Sequence, residues 1–289
     1  MDIVCTLQKC FIKISELIRF SNSFDLGSKI DLENTSGDSI KKLDFVSNNI
    51  LINEIKKLSC IKYICSEEED DIIINNEEGE YLISFDPVDG SSNIKNNITV
   101  GTIFCVFKCN DNKIISGKNI YMSGYCLYGN STIFVLSFNN TTNIYILDKY
   151  HKFNIIKNSF TMPKIGNSYA VNESNKDKWV DPKIIRIIDK MINHNKTQRW
   201  VGSLVADAHR VLVTGGLFMY PSDTKNKNGK IRLLYEAFPM AYIFYSCGGY
   251  SSDGKDSILD LEINLEKNIH QKIPIYLFSK SEYELFQLC

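Results

Sequence analysis

Two carboxylates separated by only two residues are the groups in this sequence best suited to chemistry. Asp86 and Asp89 enclose a Pro-Val pair after the apolar run 81–85, and the small polar residues 90–93 follow directly. Clustered hard oxygen ligands of this kind suit Mg²⁺ or Mn²⁺ rather than zinc. The backbone N–H groups and hydroxyls of a Gly-Ser-Ser-Asn segment can surround an anion beside such a cation. The segment therefore predicts a site in which divalent cations neutralise and activate a phosphate ester.

Other acidic positions could contribute to the same site. The acids in the run 66–71 follow one apolar segment and precede another, a position from which they would project into a shared cleft, although an acidic run alone is more often a solvated surface. Glu236 follows the apolar residues 233–235 and is a weak signal on its own. Composition assigns no role to Asp44, which lies beside lysines on a predicted helix. Several carboxylates meeting in one volume would resist ionisation unless cations joined them.

Hydrophobic periodicity predicts the elements that must position these groups. Helices are predicted over 7–20, 37–58, 182–192, 203–215 and 239–247, and strands over 63–65, 72–74, 81–85, 98–107, 132–138, 143–147, 217–221 and 231–234. We expect Asp38 to cap the second helix and the strand 81–85 to end at Asp86, in a turn that Pro87 stiffens. The alternation of strands and helices predicts a layered α/β (α+β layered) fold with a boundary between two halves near residue 163.

The overall composition excludes several classes of function. The 33 basic and 34 acidic residues leave a net charge of -1, which argues against a general nucleic-acid binder. The sequence contains no apolar run of the roughly 20 residues needed to cross a bilayer and no secretory signal. The nine cysteines are scattered, which is typical of reduced thiols. We expect a protein of the cytoplasm without a membrane partner, and the sequence leaves open a longer precursor directed to a plastid.

In order along the chain, the motifs resemble those of the class I fructose-1,6-bisphosphatases, and the resemblance covers almost the whole sequence. The matching segments are 37–44 (Gly-Asp-Ser-Ile-Lys-Lys-Leu-Asp), 66–70 (Ser-Glu-Glu-Glu-Asp), 85–94 (Phe-Asp-Pro-Val-Asp-Gly-Ser-Ser-Asn-Ile), 100–104 (Val-Gly-Thr-Ile-Phe), 201–210, 228–236 and 248–255. The early acidic motifs are shared with the wider lithium-sensitive phosphatase superfamily, whereas those after residue 200 are specific to sugar bisphosphatases. The resemblance implies a five-layer α-β-α-β-α sandwich. Its N-terminal half, 1–163, would bind metals, and its C-terminal half, 164–289, would bind the sugar phosphate.

The resemblance also implies a role for each matching residue. Two or three Mg²⁺ ions per subunit, with Mn²⁺ as a possible substitute, would be bound by Glu67, Glu68, Asp86, the backbone carbonyl of Val88, Asp89 and Glu236. The attacking water would be oriented and deprotonated by Asp44 with Glu68, and Asp38 would support a mobile loop over 21–36. The substrate's 1-phosphate would lie against Asp89, Gly90, Ser91 and Ser92, and its sugar and distal phosphate against Asn172, Arg199, Trp200, Tyr220 and Lys230.

Arg199 would reach into the neighbouring subunit's site, which implies a homodimer or homotetramer. His209 and His270 also lie in family-like motifs, and we predict that they support the core rather than catalyse. AMP is expected not to inhibit, because Glu80-Tyr81 and Lys108 differ from the family's AMP site and the family's upstream helices are not in this sequence.

Further departures from the family pattern leave the substrate open. Trp200 stands where the family usually has Tyr, and residues 175–177 lack an aromatic that is usual there. The favoured function is Mg²⁺-dependent hydrolysis of the 1-phosphate of fructose 1,6-bisphosphate in carbohydrate metabolism, as in gluconeogenesis. Alternatives are a sedoheptulose-1,7-bisphosphatase, an inositol- or nucleotide-phosphate phosphatase of the same superfamily, and a non-catalytic sugar-phosphate sensor. A sensor would typically lack a metal ligand, and every expected carboxylate is present here.

Overall fold

A computed structural model of the chain describes residues 2–20, 28–33, 39–109 and 113–289. Its α-helices in these ranges are α1 (Asp2–Arg19), α2 (Lys42–Ile55), α3 (Lys183–Asn193), α4 (Leu204–Thr214), α5 (Phe238–Ser246) and α6 (Lys280–Gln287). The helix α1 buries Ile3, Leu7, Phe11 and Ile14, an amphipathic spacing that presents one apolar face to a sheet. No helix in the described ranges is both long and apolar enough to cross a membrane.

Eight strands form the larger sheet. In spatial order they are β11 (Phe153–Lys157), β10 (Thr141–Leu147), β9 (Thr132–Phe138), β8 (Ile120–Tyr128), β6 (Val100–Lys108), β5 (Tyr81–Asp89), β3 (Ile61–Ser66) and β4 (Ile73–Ile74). Only β3 and β5 pair in parallel, so the carboxyl ends of these two strands lie side by side at one edge of the sheet.

A second sheet of five strands belongs to the C-terminal part of the chain. Its spatial order is β13 (Thr197–Gln198), β12 (Ser168–Ala170), β14 (Leu217–Tyr220), β19 (Ile275–Phe278) and β16 (Tyr250–Ser252). Three two-stranded pairs complete the described strands: β1 (Lys29–Glu33) with β2 (Ser39–Lys41), β15 (Ile231–Arg232) with β18 (Lys272–Ile273), and β17 (Glu262–Asn264) with β7 (Ile114–Ser116).

Three apolar clusters separate the layers. One packs α1 and α2 against the outer face of the larger sheet. A second fills the space between the two sheets, where α4 and α5 lie. A third packs α3 and α6 against the outer face of the smaller sheet. The resulting order of layers confirms the predicted five-layer α-β-α-β-α sandwich, while the boundary near residue 163 stays a prediction.

The strand that carries Asp86 is longer than predicted. β5 does not end at Asp86 in a turn: Asp86 pairs with Ile103 and Asp89 with Gly101, so three steps on β5 face two steps on β6. This extra residue is a β-bulge, which accommodates Pro87 because proline has no N–H to donate to the ladder. The turn begins at Gly90, whose φ of 78° lies in the left-handed region.

The second helix and the segment before Glu236 also differ from prediction. α2 begins at Lys42 instead of at 37–38, because Ser39–Lys41 pairs with β1 as a strand. Asp38 and most of the predicted loop 21–36 lie outside the described residues. The predicted strand 231–234 is reduced to the two residues of β15, and Leu233–Ala237 form a π-helical turn that leads into α5.

A buried ion pair joins the C-terminal helix to the smaller sheet. The side chains of Lys196 and Glu282 are 6% and 0% exposed and form a salt bridge. Lys196 Nζ also donates to the carbonyl of Gly166 at 2.7 Å, and Glu282 accepts from the amide of Gly166 at 3.2 Å. The hydroxyl of Ser279 donates to the second carboxylate oxygen of Glu282. Every partner of this carboxylate is therefore itself removed from water.

Replacing Glu282 by Ala should lower the free energy of unfolding by about 3–5 kcal/mol, because an uncompensated lysine charge would remain buried. Chemical denaturation measures this change. The matched control is Glu284→Ala on the same helix, since the exposed Lys280–Glu284 pair at 3.9 Å should contribute less than about 1 kcal/mol. Equal losses in the two variants would contradict the buried-pair explanation.

Candidate active site

Three buried carboxylates converge at the edge of the larger sheet. Ligand atoms of Asp86, Asp89 and Glu236 lie within 4.8 Å of one another. Along β5, Leu82 faces the middle layer whereas Ile83 and Phe85 face the outer helices. Because side chains alternate along a strand, Asp86 faces the middle layer with Leu82. The sheet thus presents its carboxylate to the elements that follow residue 200.

Hydrogen bonds bring Glu236 to β5 from more than 140 residues away in the chain. The hydroxyl of Ser84 donates to the carbonyl of Leu234 at 2.9 Å, which fixes the π-helical turn on the inner face of β5. The amide of Leu233 donates to the carbonyl of Gln271 at 2.8 Å. Glu236 accepts from the amide of Arg232 at 2.7 Å, so its carboxylate closes back over its own turn.

Asp89 is held by the first turn of α4. Its Oδ2 accepts from the amide of Val205 at 2.8 Å and from the hydroxyl of Ser203 at 3.1 Å. Free amides at a helix N-terminus favour a carboxylate. Gly90 packs closely against Ser203, since a Cβ built on it would lie 2.6 Å from Ser203 Oγ. This contact, together with its positive φ, explains why glycine stands at position 90.

Burial and mutual repulsion raise the pKa of each of these carboxyl groups. Burial, followed by the charges of Glu67, Asp89 and Glu236, holds the pKa of Asp86 well above its usual range. Burial also raises the pKa of Asp89 to about 7, although the Val205 and Ser203 hydrogen bonds oppose it. Burial and the charge of Glu67 raise the pKa of Glu236 to about 8 against the opposing charge of Arg232. Buried hard oxygens that repel one another in this way fit a divalent cation, which would take the place of the protons.

Glu67 lies at the rim of this trio and is paired with a cation from the chain itself. Its amide donates to the carbonyl of Phe85 at 3.1 Å, which continues the β3–β5 ladder beyond Ser66. Its Oε1 lies 2.5 Å from Nη1 of Arg232, whose side chain is only 8% exposed. Sequence reasoning missed Arg232, although a charged residue between the apolar residues 231 and 233 was a usable signal.

The acidic loop after β3, residues 67–71, is hydrogen-bonded to α2 on one side and to His270 on the other. Asn48 on α2 donates to Glu69 Oε1 at 2.7 Å and accepts from the Ser66 hydroxyl at 2.7 Å. On the other side, His270 Nε2 lies 3.1 Å from the carbonyl of Glu69, and His270 Nδ1 is hydrogen-bonded to the hydroxyl of Tyr235. Burial and the charge of Arg232 lower the pKa of His270, which keeps the ring neutral at neutral pH. The prediction that this histidine only supports the core did not include the contact with the acidic loop.

The remaining predicted metal and water ligands lie around the trio rather than within it. Asp44 is buried in the first turn of α2, and Glu68 is half-buried in the acidic loop. The amide of Val88 donates to Asp86 Oδ1 at 2.9 Å. Neither Asp44 nor Glu68 belongs to the group of converging ligand atoms found among the described residues.

Most of the predicted sugar-side residues meet at the end of β14. The ring of Trp200 lies 6.2 Å from that of Phe218 at an interplanar angle of 9°, and 6.1 Å from that of Tyr220. Lys230 Nζ lies 5.9 Å from the centre of the Tyr220 ring. Asn172 and Tyr220 line the same small pocket.

Arg199 stands apart from this cluster, with an exposed side chain. Ser91 and Ser92 begin a short 3₁₀-helix after Gly90, Ser92 exposed and Ser91 half-buried. Both follow Asp89 closely in the chain, with Gly90 between, and their role at the 1-phosphate stays a prediction.

Asp207 fixes the segment 199–203, and sequence reasoning noted this residue only as part of a motif. Its buried carboxylate accepts from the amides of Val201 and Gly202 and from Arg210 Nη1, each at 3.0 Å. Asn93 Nδ2 donates to the carbonyl of Gly202 at 3.0 Å, so the serine-rich turn and the segment 199–203 are joined.

Two family descriptions match this chain in succession. The fructose-1-6-bisphosphatase N-terminal domain matches residues 2–157, and the C-terminal domain of the same family matches residues 162–289. Similar curated proteins include a fructose-1,6-bisphosphatase class 1 of Sulfurihydrogenibium, 38% identical over 94% of this chain and 85% of its own length. Fructose-1,6-bisphosphatase 1 of Bos taurus is 36% identical over 99% of this chain and 87% of its own length.

Solved structures agree with these matches. The holo form of the Leishmania major fructose-1,6-bisphosphatase is 33% identical, covers 99% of this chain and 93% of its own, and superimposes with a TM-score of 0.93. The apo form of the same protein superimposes with a TM-score of 0.87. Matches of this extent in sequence and fold show that the chain belongs to the class I fructose-1,6-bisphosphatase family.

Proposed function

We propose that this protein hydrolyses the 1-phosphate of fructose 1,6-bisphosphate, giving fructose 6-phosphate and inorganic phosphate. The observation that carries the proposal is the buried trio of Asp86, Asp89 and Glu236, whose ligand atoms lie within 4.8 Å of one another. Burial and repulsion raise the pKa of each carboxyl group, which supports a cation site there. The family supports the choice of a sugar bisphosphate. We propose Mg²⁺ as the metal, because hard carboxylate oxygens are the ligands it prefers.

The acidic residues would bind the metal and accept the proton of the attacking water. Bound by Glu67, Glu68, Asp86, Asp89, Glu236 and the carbonyl of Val88, the metal ions would polarise the phosphoryl group and make water nucleophilic at neutral pH. Asp44 and Glu68 would orient the water and accept its proton. Backbone amides and hydroxyls of Gly90, Ser91 and Ser92 would donate to the phosphate oxygens, which keeps the phosphorus in line with the attacking oxygen.

The sugar and its distal phosphate would be bound far from the reacting bond. Asn172, Trp200 and Tyr220 would contact the sugar, and the ammonium group of Lys230 would bind the distal phosphate. Arg199 of a neighbouring subunit would supply a second cation, which is why we propose a homodimer assembled further into a homotetramer. The exposure of Arg199 leaves its side chain available for that contact. A cytoplasmic location and a division into the halves 1–163 and 164–289 complete the proposal.

A phosphate-release assay against a panel of sugar bisphosphates tests the substrate. We expect kcat/KM for fructose 1,6-bisphosphate to exceed that for sedoheptulose 1,7-bisphosphate by about tenfold or more, and EDTA to abolish release. The reverse order of the two substrates would establish the sedoheptulose alternative. A folded protein that released no phosphate from any bisphosphate would support the sensor.

Within the same assay, Asp86→Asn and Glu67→Gln should each lower kcat by a factor on the order of 10³ or more, since each removes a metal ligand. Asp260→Asn, which changes an exposed carboxylate paired at 3.7 Å with Lys118, is the control and should keep full activity. Activity retained in Asp86→Asn would overturn the assignment of the trio as the metal site.

Removing the cation of Lys230 should weaken binding of the distal phosphate. We expect Lys230→Ala to raise KM by roughly tenfold to a hundredfold, because a charge-assisted hydrogen bond to phosphate contributes on the order of 1.5–3 kcal/mol. Lys227→Ala, an exposed lysine on the same loop, should leave KM within about twofold. Steady-state kinetics at saturating Mg²⁺ compares the two, and equal effects would show that only general surface charge matters.

The stability of the metal-free protein should fall as pH rises from about 5 to 8. Asp89 and Glu236 have pKa values of about 7 and 8 in the folded chain against ordinary values of 3.8 and 4.5, so the folded state binds more protons in this window. The unfolding temperature in EDTA is therefore expected to be lower at pH 8 than at pH 5.5, and Mg²⁺ should raise it more at pH 8. Asp86→Asn should flatten this dependence, because it removes one of the repelling charges. An unfolding temperature that rose with pH in EDTA would contradict the prediction.

A further inference from the structure

The carboxylates of the proposed metal site come from three segments, and the larger sheet joins only two of them, β5 and the loop that follows β3. Glu67 and Glu68 lie in the acidic loop, residues 67–71, after β3. Glu236 lies on the π-helical turn Leu233–Ala237 after β15, and β15 pairs with β18 instead of joining the larger sheet. Each segment is attached separately to β5, the acidic loop through the amide of Glu67 and the π-helical turn through the hydroxyl of Ser84, so a direct contact between the two would further fix the distance between them.

The imidazole of His270 bridges these two segments. Its Nδ1 is hydrogen-bonded to the hydroxyl of Tyr235, a fully buried residue of the π-helical turn. Its Nε2 lies 3.1 Å from the backbone carbonyl of Glu69 in the acidic loop. A carbonyl can only accept, so Nε2 carries the proton and donates, while Nδ1 accepts from the Tyr235 hydroxyl. One neutral tautomer therefore satisfies both bonds at once.

The backbone around His270 is itself fixed to the metal-site side of the chain. The amide of His270 donates to Asn268 Oδ1 at 2.9 Å, and the carbonyl of Gln271 accepts from Leu233 at 2.8 Å. Lys272 pairs with Arg232 across β18 and β15. The ring thus extends from a segment that is hydrogen-bonded to the π-helical turn, and it donates a hydrogen bond to the acidic loop.

Electrostatic repulsion among these acids is a reason for a contact that holds the acidic loop in place. The acidic loop brings Glu67 close enough to raise the pKa values of both Asp86 and Glu236, so these groups push the loop outward when ionised. The Arg232–Glu67 pair opposes this push at the side chain, and Asn48 opposes it from α2. Unlike these two contacts, which are made to side chains, the hydrogen bond from His270 is made to the backbone of the loop.

We propose that His270 is a positioning residue for the metal site: by bonding Glu69 and Tyr235 together, it holds the acidic loop at the distance from Glu236 that metal binding needs. The proposal rests on the proposed function, because it takes these acids as the metal ligands. Outer contacts that orient metal ligands typically contribute tenfold to a hundredfold to metal affinity. His270 should therefore act on metal affinity and leave binding of the sugar bisphosphate nearly unchanged once the metal is saturating.

Calorimetric titration of the metal-free protein with Mn²⁺ tests this role without substrate. His270→Ala should raise the dissociation constant for Mn²⁺ by about tenfold to a hundredfold. His270→Gln keeps an N–H donor near the position of Nε2 and should stay within about threefold of the original protein. His270→Asn can still accept from Tyr235 but cannot reach Glu69, and should weaken Mn²⁺ binding by about tenfold. Mn²⁺ affinity that falls in the order Gln, Asn, Ala would show that the hydrogen bond to the loop matters, and not only the volume of the side chain.

A second histidine provides the matched control. His209 Nδ1 is bonded to the buried hydroxyl of Tyr125 at 2.7 Å, and its ring meets the Tyr125 ring edge-on as His270 meets Tyr235. His209→Ala should lower the unfolding temperature but keep Mn²⁺ affinity within about twofold. Equal Mn²⁺ affinities in the original protein and in folded His270→Asn would overturn the proposal, as would equal losses of affinity in the His209 and His270 variants.

Steady-state kinetics adds a second measurement, which separates an effect on metal affinity from a general loss of structure. In His270→Asn the Mg²⁺ concentration for half-maximal activity should rise by about tenfold, whereas KM at saturating Mg²⁺ should change by less than about threefold. Failure of the proposed function would appear as absence of phosphate release by the original protein, and would leave the Mn²⁺ titration able to decide the role of His270.

Discussion

Repulsion among buried carboxylates is the constraint on which the rest of this structure depends. Asp86, Asp89 and Glu236 lie close together and away from water, where ionised groups are costly unless a cation accompanies them. Groups of the chain itself offset part of this cost: the guanidinium of Arg232 at Glu67, one helix amide and one hydroxyl at Asp89, and a backbone amide at Glu236. The folded protein can therefore keep the acids assembled before any metal arrives, which reduces the reorganisation that binding would otherwise require.

The sequence predicted the layers well because they depend on periodicity that each segment carries itself. The strand Thr132–Phe138 and the helix Leu204–Thr214 lie where their apolar spacing placed them. Two of the failures share a different cause, which is pairing with another strand. Residues 39–41 form a strand because β1 is beside them, and β5 continues through Pro87 because β6 continues beside it. No local pattern distinguishes an extended bulge at a proline from a turn.

The same division separates the site residues that were found from those that were missed. Asp86 and Asp89 were evident because the motif brings them together within four residues. Arg232 pairs with Glu67, and His270 is hydrogen-bonded to Glu69, 201 residues away in the chain, so only the folded chain shows those partners. Asp207 bonds within its own segment, and its role depends on the local geometry of the turn before α4. Residues that touch a ligand tend to recur in short motifs, whereas residues that hold the ligand-binding groups in place depend on topology.

The helix α4 has a consequence for anyone who would redesign this protein. Its first turn holds Asp89 through Val205 and Ser203, and the residues just before it, fixed by Asp207, carry Trp200 and Arg199. The residues that we propose for sugar binding and a carboxylate that we propose for metal binding are therefore attached to the same helix. On that proposal, a change in residues 199–203 that admits a different sugar would also act on the helix turn that holds Asp89, so substrate selectivity and turnover would change together.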